Sequence, residues 1–177
     1  MMETVIKGKV WVGGDSISTY AILPKERWIH NSTDPKLFGP WSMEDADKSF
    51  QGKEWALRDS GATIIVAGKN FGGGGKTLET PVYGLIGAGI KVIIADTFAR
   101  TFFRNCINNA LPAFTCPGLS KKVSTGDELI VNMDEGYIEI PAKGERLKMA
   151  ALSEFCKALI EAGGLVAYTK KQFEKIE

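Results

Sequence analysis

A chain of 177 residues with 44% apolar and 24% charged side chains has the makings of one domain with its own core, with room for small appendages at most. Its formal net charge of +1 sets up no global field that would recruit nucleic acid or an anionic membrane. No stretch has the length of a membrane span, and "MMETVIKGKVWVGGDS" has no apolar core for a signal peptide, so a cytoplasmic location is the expectation.

Along the chain, "VIKGKVWVGG" alternates apolar and polar residues and predicts a strand, followed by a second short one at "YAILP". Residues 24–51 carry three prolines and many turn formers. They predict an irregular stretch with one or two helical turns, long enough to be a functional excursion. "ATIIVAG" is a continuous apolar run, as in a strand buried on both faces. After the glycine run "FGGGGK", "TLETPVYGLIGAG" predicts a helix with Thr77 as N-cap, Pro81 in the first turn and Gly87 and Gly89 as its stop. "KVIIAD", "FARTFFRNCINNA" and "LPAFTC" continue as strand, helix and strand. This order predicts a partly parallel α/β sheet with right-handed crossovers.

The last third changes character. "DELIVNMDEGYIEI" predicts a β-hairpin about an Asp-Glu-Gly turn. Ser153 caps a helix in which Phe155, Ala158, Leu159 and Ala162 share a face, and Gly163 ends it. The terminal "KKQFEK" has the composition of a solvated end. Residues 1–177 are therefore expected to form a single domain, with a mainly parallel α/β core and a β-rich flank.

Chemistry concentrates at the glycine run. Cys106, Cys116 and Cys156 are odd in number and lack Cys-x-x-Cys spacing, and His30 is the one histidine. No metal site, disulfide framework or cluster held by this chain alone is expected. "FGGGGKT" approaches a P-loop, and "KVIIAD" even supplies a strand ending in Asp96. A P-loop needs a glycine five residues before its Gly-Lys-Thr, however, and Asn70 stands there. The loop also lies too far along the chain to leave sequence for the usual nucleotide-binding core.

Several separate segments, in one order, carry a different likeness. "VAGKNFGGGGKTLETP", "GIKVIIADTFARTFFRNCINNALPAF", "GKVWVGGDSISTYAILP", "STGDEL" and "LIEAGGLVAYTKK" resemble the small subunit of 3-isopropylmalate dehydratase and the swivelling domain of the aconitase family. The resemblance implies a three-layer β/β/α swivelling domain that acts as the lid of a two-chain hydro-lyase in leucine biosynthesis. It also implies a larger partner holding a [4Fe–4S] cluster, and a hydroxy di- or tricarboxylate substrate dehydrated and rehydrated between them. Neither nucleic acid nor a membrane is an expected partner.

The sequence departs from the family at the site itself. Gly75 stands at the family's serine base, Lys76 at its second serine, Thr77 at its substrate-binding arginine and Tyr20 at its opening aspartate. Gly75 has no side chain to accept a proton, and Thr77 cannot make arginine's two-pronged grip on a carboxylate. Altered substrate choice is therefore expected. The amides of Gly73, Gly74 and Gly75 can still bind an anion with Lys76, and Thr77 keeps its place in the substrate-binding set. Lys76 and Tyr20 are the candidate catalytic residues. A helix N-terminus and partial burial would both disfavour charged Lys76 and suit it to act as a base. The bland readings are a solvated lysine on a tight crossover turn and a tyrosine used for packing. Arg27, in "PKERWI", lies where the resemblance implies another arginine that reaches the substrate, and it is a further substrate-binding candidate. Arg100 and Arg104, one helical turn apart, read as fixing the helix or an inter-subunit surface. Two rival functions stay open: an interaction subunit that kept the lid fold without catalysis, and a nucleotide-binding protein.

Overall fold

A computed structural model describes residues 4–28, 32–76 and 78–174. Seven strands form one sheet: β1 (Val5–Val12), β2 (Ala62–Ala67), β3 (Val92–Ala95), β4 (Ala113–Thr115), β5 (Glu128–Asn132), β6 (Tyr137–Ile140) and β7 (Glu145–Lys148). Their order across the sheet is β4-β3-β2-β1-β5-β6-β7. Strands β1 to β4 pair in parallel, whereas β1–β5, β5–β6 and β6–β7 are antiparallel. β1 is the seam between the two halves. A bulge at Lys9/Val10 shifts its register against β2.

The parallel strands are apolar on both faces because both are covered. Ile65 and Ile93 look toward the helices, where they meet Leu85, Phe102 and Cys106. Ile64, Val66, Val92 and Ile94 look the other way and pack on Leu129, Val131, Ile138 and Ile140 of the antiparallel half. The sheet thus curls until one half lies over the other. Two β layers and a helical layer result, as the three-layer expectation requires. Each isoleucine fully buried in these runs contributes roughly 1.5–3 kcal/mol.

The helices are α1 (Thr19–Ile22), α2 (Pro35–Phe38), α3 (Ala56–Asp59), α4 (Thr80–Gly87), α5 (Arg100–Asn108), α6 (Glu154–Ala162) and α7 (Leu165–Phe173). "YAILP" is therefore not a strand but the helical turn α1. The Ser18 hydroxyl accepts from the Ala21 amide and starts the turn, whose Thr19 and Ile22 are buried at helical spacing. α4 opens at Thr80 with Glu79 as N-cap, so the helix begins three residues beyond the Thr77 cap expected for it. Thr77 itself, like His30, lies outside the described residues.

Residues 24–51 hold α2 and three 3-10 turns, more regular structure than expected. They are packed down: Phe38 and Met43 are fully buried, and Trp11 Nε1 on β1 donates to Asp47 at 2.9 Å. At the C-terminal end, Ser153 caps α6 and Gly163 ends it as expected, but Leu159 and Ile160 are the buried residues and Phe155 stays 57% exposed. Beyond Gly163 and Gly164, "LVAYTKKQF" forms α7, a helix the sequence reading did not name, and Lys170 to Glu174 at its end are exposed, as expected of "KKQFEK".

Candidate functional site

Beyond the ends of β1 and β2 the two segments keep running side by side. The Gly13 amide donates to Val66 O, Gly68 to Gly14 O, Ser16 to Lys69 O and Gly72 to Ile17 O, at 2.7–3.1 Å. Ser18 and Gly73 close this parallel extension with a bridge, and Asp15 Oδ1 accepts from the Lys69 amide at 2.7 Å. The loop's other side is tied to the segment after β3. There the Asn70 amide donates to Thr97 Oγ1 and the Phe71 amide to Thr97 O. Phe71 is fully buried and meets Phe98 and Phe102 edge-on. The glycine run is thus braced from both sides at the carboxyl ends of parallel strands, where open α/β sheets offer crevices for ligands.

Packing explains most of the four glycines. A β-carbon on Gly72 would lie 2.1 Å from the Phe102 ring, one on Gly73 2.4 Å from the Asn70 amide group, and one on Gly75 1.9 Å from Thr19 Oγ1. Gly74 has open space but a φ of +68°. The run is glycine because the backbone passes hard against its neighbours, and no nucleotide is needed to account for it. The Asp96 carboxylate caps a turn, accepting from the Gly118 amide at 2.9 Å.

Gly74, Gly75 and Lys76 form the exposed crest of the loop. Among the described residues their three amides have no acceptor, so three consecutive donors and an ammonium group face outward. This is a fit for an anion. Lys76 is exposed and four residues short of the first turn of α4, so the partial burial invoked for a base is not found there.

Tyr20 stands next to the crest: its Cδ2 would lie 3.3 Å from a β-carbon on residue 75. Its ring stacks on Trp28, with centroids 5.5 Å apart and planes at 14°. Gly73, Gly74, Gly75, Lys76 and Tyr20 are therefore brought together. Arg27 joins them only through its neighbour Trp28. Its Nε and Nη2 are committed to Glu44 at 3.0 and 3.1 Å, and it lies 3.4 Å over the Trp41 ring. The Arg27 hydrogen bonds hold the Glu44 carboxyl below the usual range, against burial and with help from the Gly52 amide.

Sequence reasoning passed over Thr19. Buried beneath the loop, its hydroxyl donates to Lys76 O at 3.4 Å and fills the space beside Gly75. The available signal was Ser18-Thr19 itself, a capping pair that belongs at the start of a helical turn. Asn105 Nδ2 holds the loop's far end by donating to Leu78 O at 3.1 Å. Behind it the Tyr83 phenol is pushed up to about 12 by burial and by its hydrogen bond to Glu79.

The thiols do not converge on this site. Cys106 and Cys116 are buried in separate cores and Cys156 lies on α6. Among the described residues no group of His, Cys, Asp or Glu can hold a metal ion. The chain's own residues do not fit an iron–sulfur cluster. No helix among the described residues is long and apolar enough to cross a membrane.

The aconitase C-terminal domain family matches residues 36–117. The isopropylmalate/citramalate isomerase small subunit of Methanocaldococcus jannaschii is 44% identical over 171 residues, covering 97% of either chain. The 3-isopropylmalate dehydratase small subunit of Thermodesulfovibrio yellowstonii is 42% identical over 94% of this chain and 95% of its own. A crystal structure of 3-isopropylmalate dehydratase from M. jannaschii superposes with a TM-score of 0.81 at 33% identity, covering 95% of each chain.

Proposed function

The chain belongs to the family of 3-isopropylmalate dehydratase small subunits, and from that premise we propose how its divergent loop serves the family's reaction. It is the small subunit of a hydro-lyase that acts with a large subunit. In the reading proposed here, the exposed amides of Gly74 and Gly75, with Gly73 behind them, receive one carboxylate of a hydroxy di- or tricarboxylic acid. Lys76 adds a point charge where the family carries a serine, and Thr77 stands in the arginine's position. A lysine grips a carboxylate without arginine's fixed bidentate geometry, which suits a change in the acid accepted. Tyr20 and Lys76 are the two side chains beside that seat able to carry a proton, since Gly75 cannot. The [4Fe–4S] cluster belongs on the large subunit, because this chain's thiols are separated and two of them buried. The large chain is the partner that closes the site.

The observation that carries this reading is the run of three outward amides beside Lys76 and Tyr20, in a chain that covers 97% of an isomerase small subunit. Relatives named as enzyme subunits along their whole length do not favour an interaction-only role, and glycines seated against Thr19, Asn70 and Phe102 remove the ground for a nucleotide loop. Co-expression with the cognate large subunit tests the reading. The purified complex is given a panel of hydroxy diacids differing in side chain, and unsaturated product is followed by ultraviolet absorbance. Turnover of at least one acid that falls on Lys76→Ala supports the reading. A complex inert toward the whole panel overturns it.

A further inference from the structure

Between α5 and α6 runs a groove of about 640 Å³ that the candidate site does not use. Its floor is Phe98, Phe103, Ile107 and Leu159, and Phe155 stands at its lip, 57% exposed. Arg100 and Arg104 line the same groove one helical turn apart, and among the described residues neither has an ion-pair or hydrogen-bond partner. This is an unfavourable arrangement for an isolated chain. Like charges at i and i+4 repel, Arg100 sits at the positive end of its helix, and no acidic residue occupies the first turn to offset it. An apolar trough beside two uncompensated guanidinium groups is a seat for an apolar side chain flanked by carboxylate.

The groove is also continuous with the site. Thr97 lines it and accepts from the Asn70 amide of the glycine loop, while Phe98 is bridged to Phe71. A chain that covers the loop arrives at the groove next. We infer that the α5–α6 groove is the docking seat for the large subunit, which places there an apolar anchor with an adjacent acidic residue. This rests on the proposed function, in which a large chain closes over the loop.

Cys156 provides a native probe. It lines the groove and is partly exposed, whereas Cys106 and Cys116 are buried and serve as internal controls for folding. Iodoacetamide labelling of each cysteine is followed by mass spectrometry in the free chain and in the co-purified complex. Cys156 is expected to react in the free chain and to be slowed about tenfold or more by assembly. The double variant Arg100→Glu, Arg104→Glu is expected to weaken assembly by about tenfold or more while the melting temperature of the free chain holds. If the complex forms but Cys156 reacts at its free rate and charge reversal leaves assembly unchanged, the groove assignment falls and the functional reading stands. Protection that appears on concentrating the chain alone assigns the groove to a second copy and overturns the inference. If no large subunit assembles with the chain, both fall together.

Discussion

The Thr19 hydroxyl occupies the space that a side chain on residue 75 would need, 1.9 Å from where its β-carbon would lie. The loop has settled onto α1 by a distance that only glycine permits. The same hydroxyl holds the next residue through Lys76 O, so crest and turn form one packed unit. Gly75 therefore sets the height of the loop's crest above α1.

Restoring serine at this position should consequently fail on its own. Gly75→Ser is expected to cost about 1–3 kcal/mol through overpacking. That corresponds to roughly 2–4 °C in melting temperature per kcal/mol for a chain of this size. Thr19→Ala removes the obstructing oxygen, so the double variant should recover part of the loss. A double-mutant cycle in thermal melts reads this directly, and additive effects would show that the two residues do not compete for space.

Lys76→Ala separates binding from architecture. The side chain is exposed, so the variant should melt within about 0.5 kcal/mol of wild type and assemble normally. Loss of a charged hydrogen bond to a carboxylate is expected to lower kcat/KM by roughly ten- to a hundred-fold. Wild-type turnover in the reconstituted complex would return Lys76 to the solvent and shift the proton-carrying role to Tyr20 or the large chain.

The Arg27–Glu44 pair predicts an acid limb in stability. The folded Glu44 carboxyl lies below its ordinary value because Arg27 donates to it. Its contribution is thus complete above the ordinary carboxylate range and fades as pH falls through the lower, folded value. Melting temperatures measured from neutral pH down to about pH 3 should fall less steeply for Glu44→Gln than for wild type. Arg27→Ala leaves Glu44 buried with the Gly52 amide and should cost about 1–2 kcal/mol, discounted because the guanidinium is partly exposed and screened.

Nucleotide should not bind. The P-loop signature depends on free glycine amides cradling phosphates, whereas the amides of Gly72 and Gly73 are already bonded to Ile17 O and Asn70 O. Calorimetry with Mg-ATP should give no saturable heat. A micromolar isotherm abolished by Lys76→Ala would reverse this account of the loop.

Much of the fold was legible because burial on both faces writes an unbroken apolar word, as in Ile64–Val66 and Val92–Ile94. Ser153 and Gly163 marked α6 for equally local reasons. The misses are elements that bury little. α7 has no buried residue, so no periodic stripe announced it. β7 is "ERLK", an edge strand whose charges suit an unpaired rim and hide its pairing with β6. "YAILP" failed because a capping hydroxyl at Ser18 outweighed its strand-like composition. At the candidate site, the sequence displayed the glycine run but not the reason for its glycines. That reason lies in Thr19 and Phe102, which are distant along the chain.

The seam strand β1 has a consequence for biogenesis. Of the described strands it is the first in chain order, and it acquires one neighbour only when Ala62–Ala67 has emerged and the other only after Glu128–Asn132 has followed. Val12 waits for Thr125, 113 positions later, before its amide finds an acceptor. Ile6 and Val10, which share a core with Leu129 and Val131, therefore wait for β5 before they are covered, and closing so long a loop slows folding. The pairing of β5 with β1 is therefore expected to be a late step of folding, and until it is made the first strand keeps one edge open.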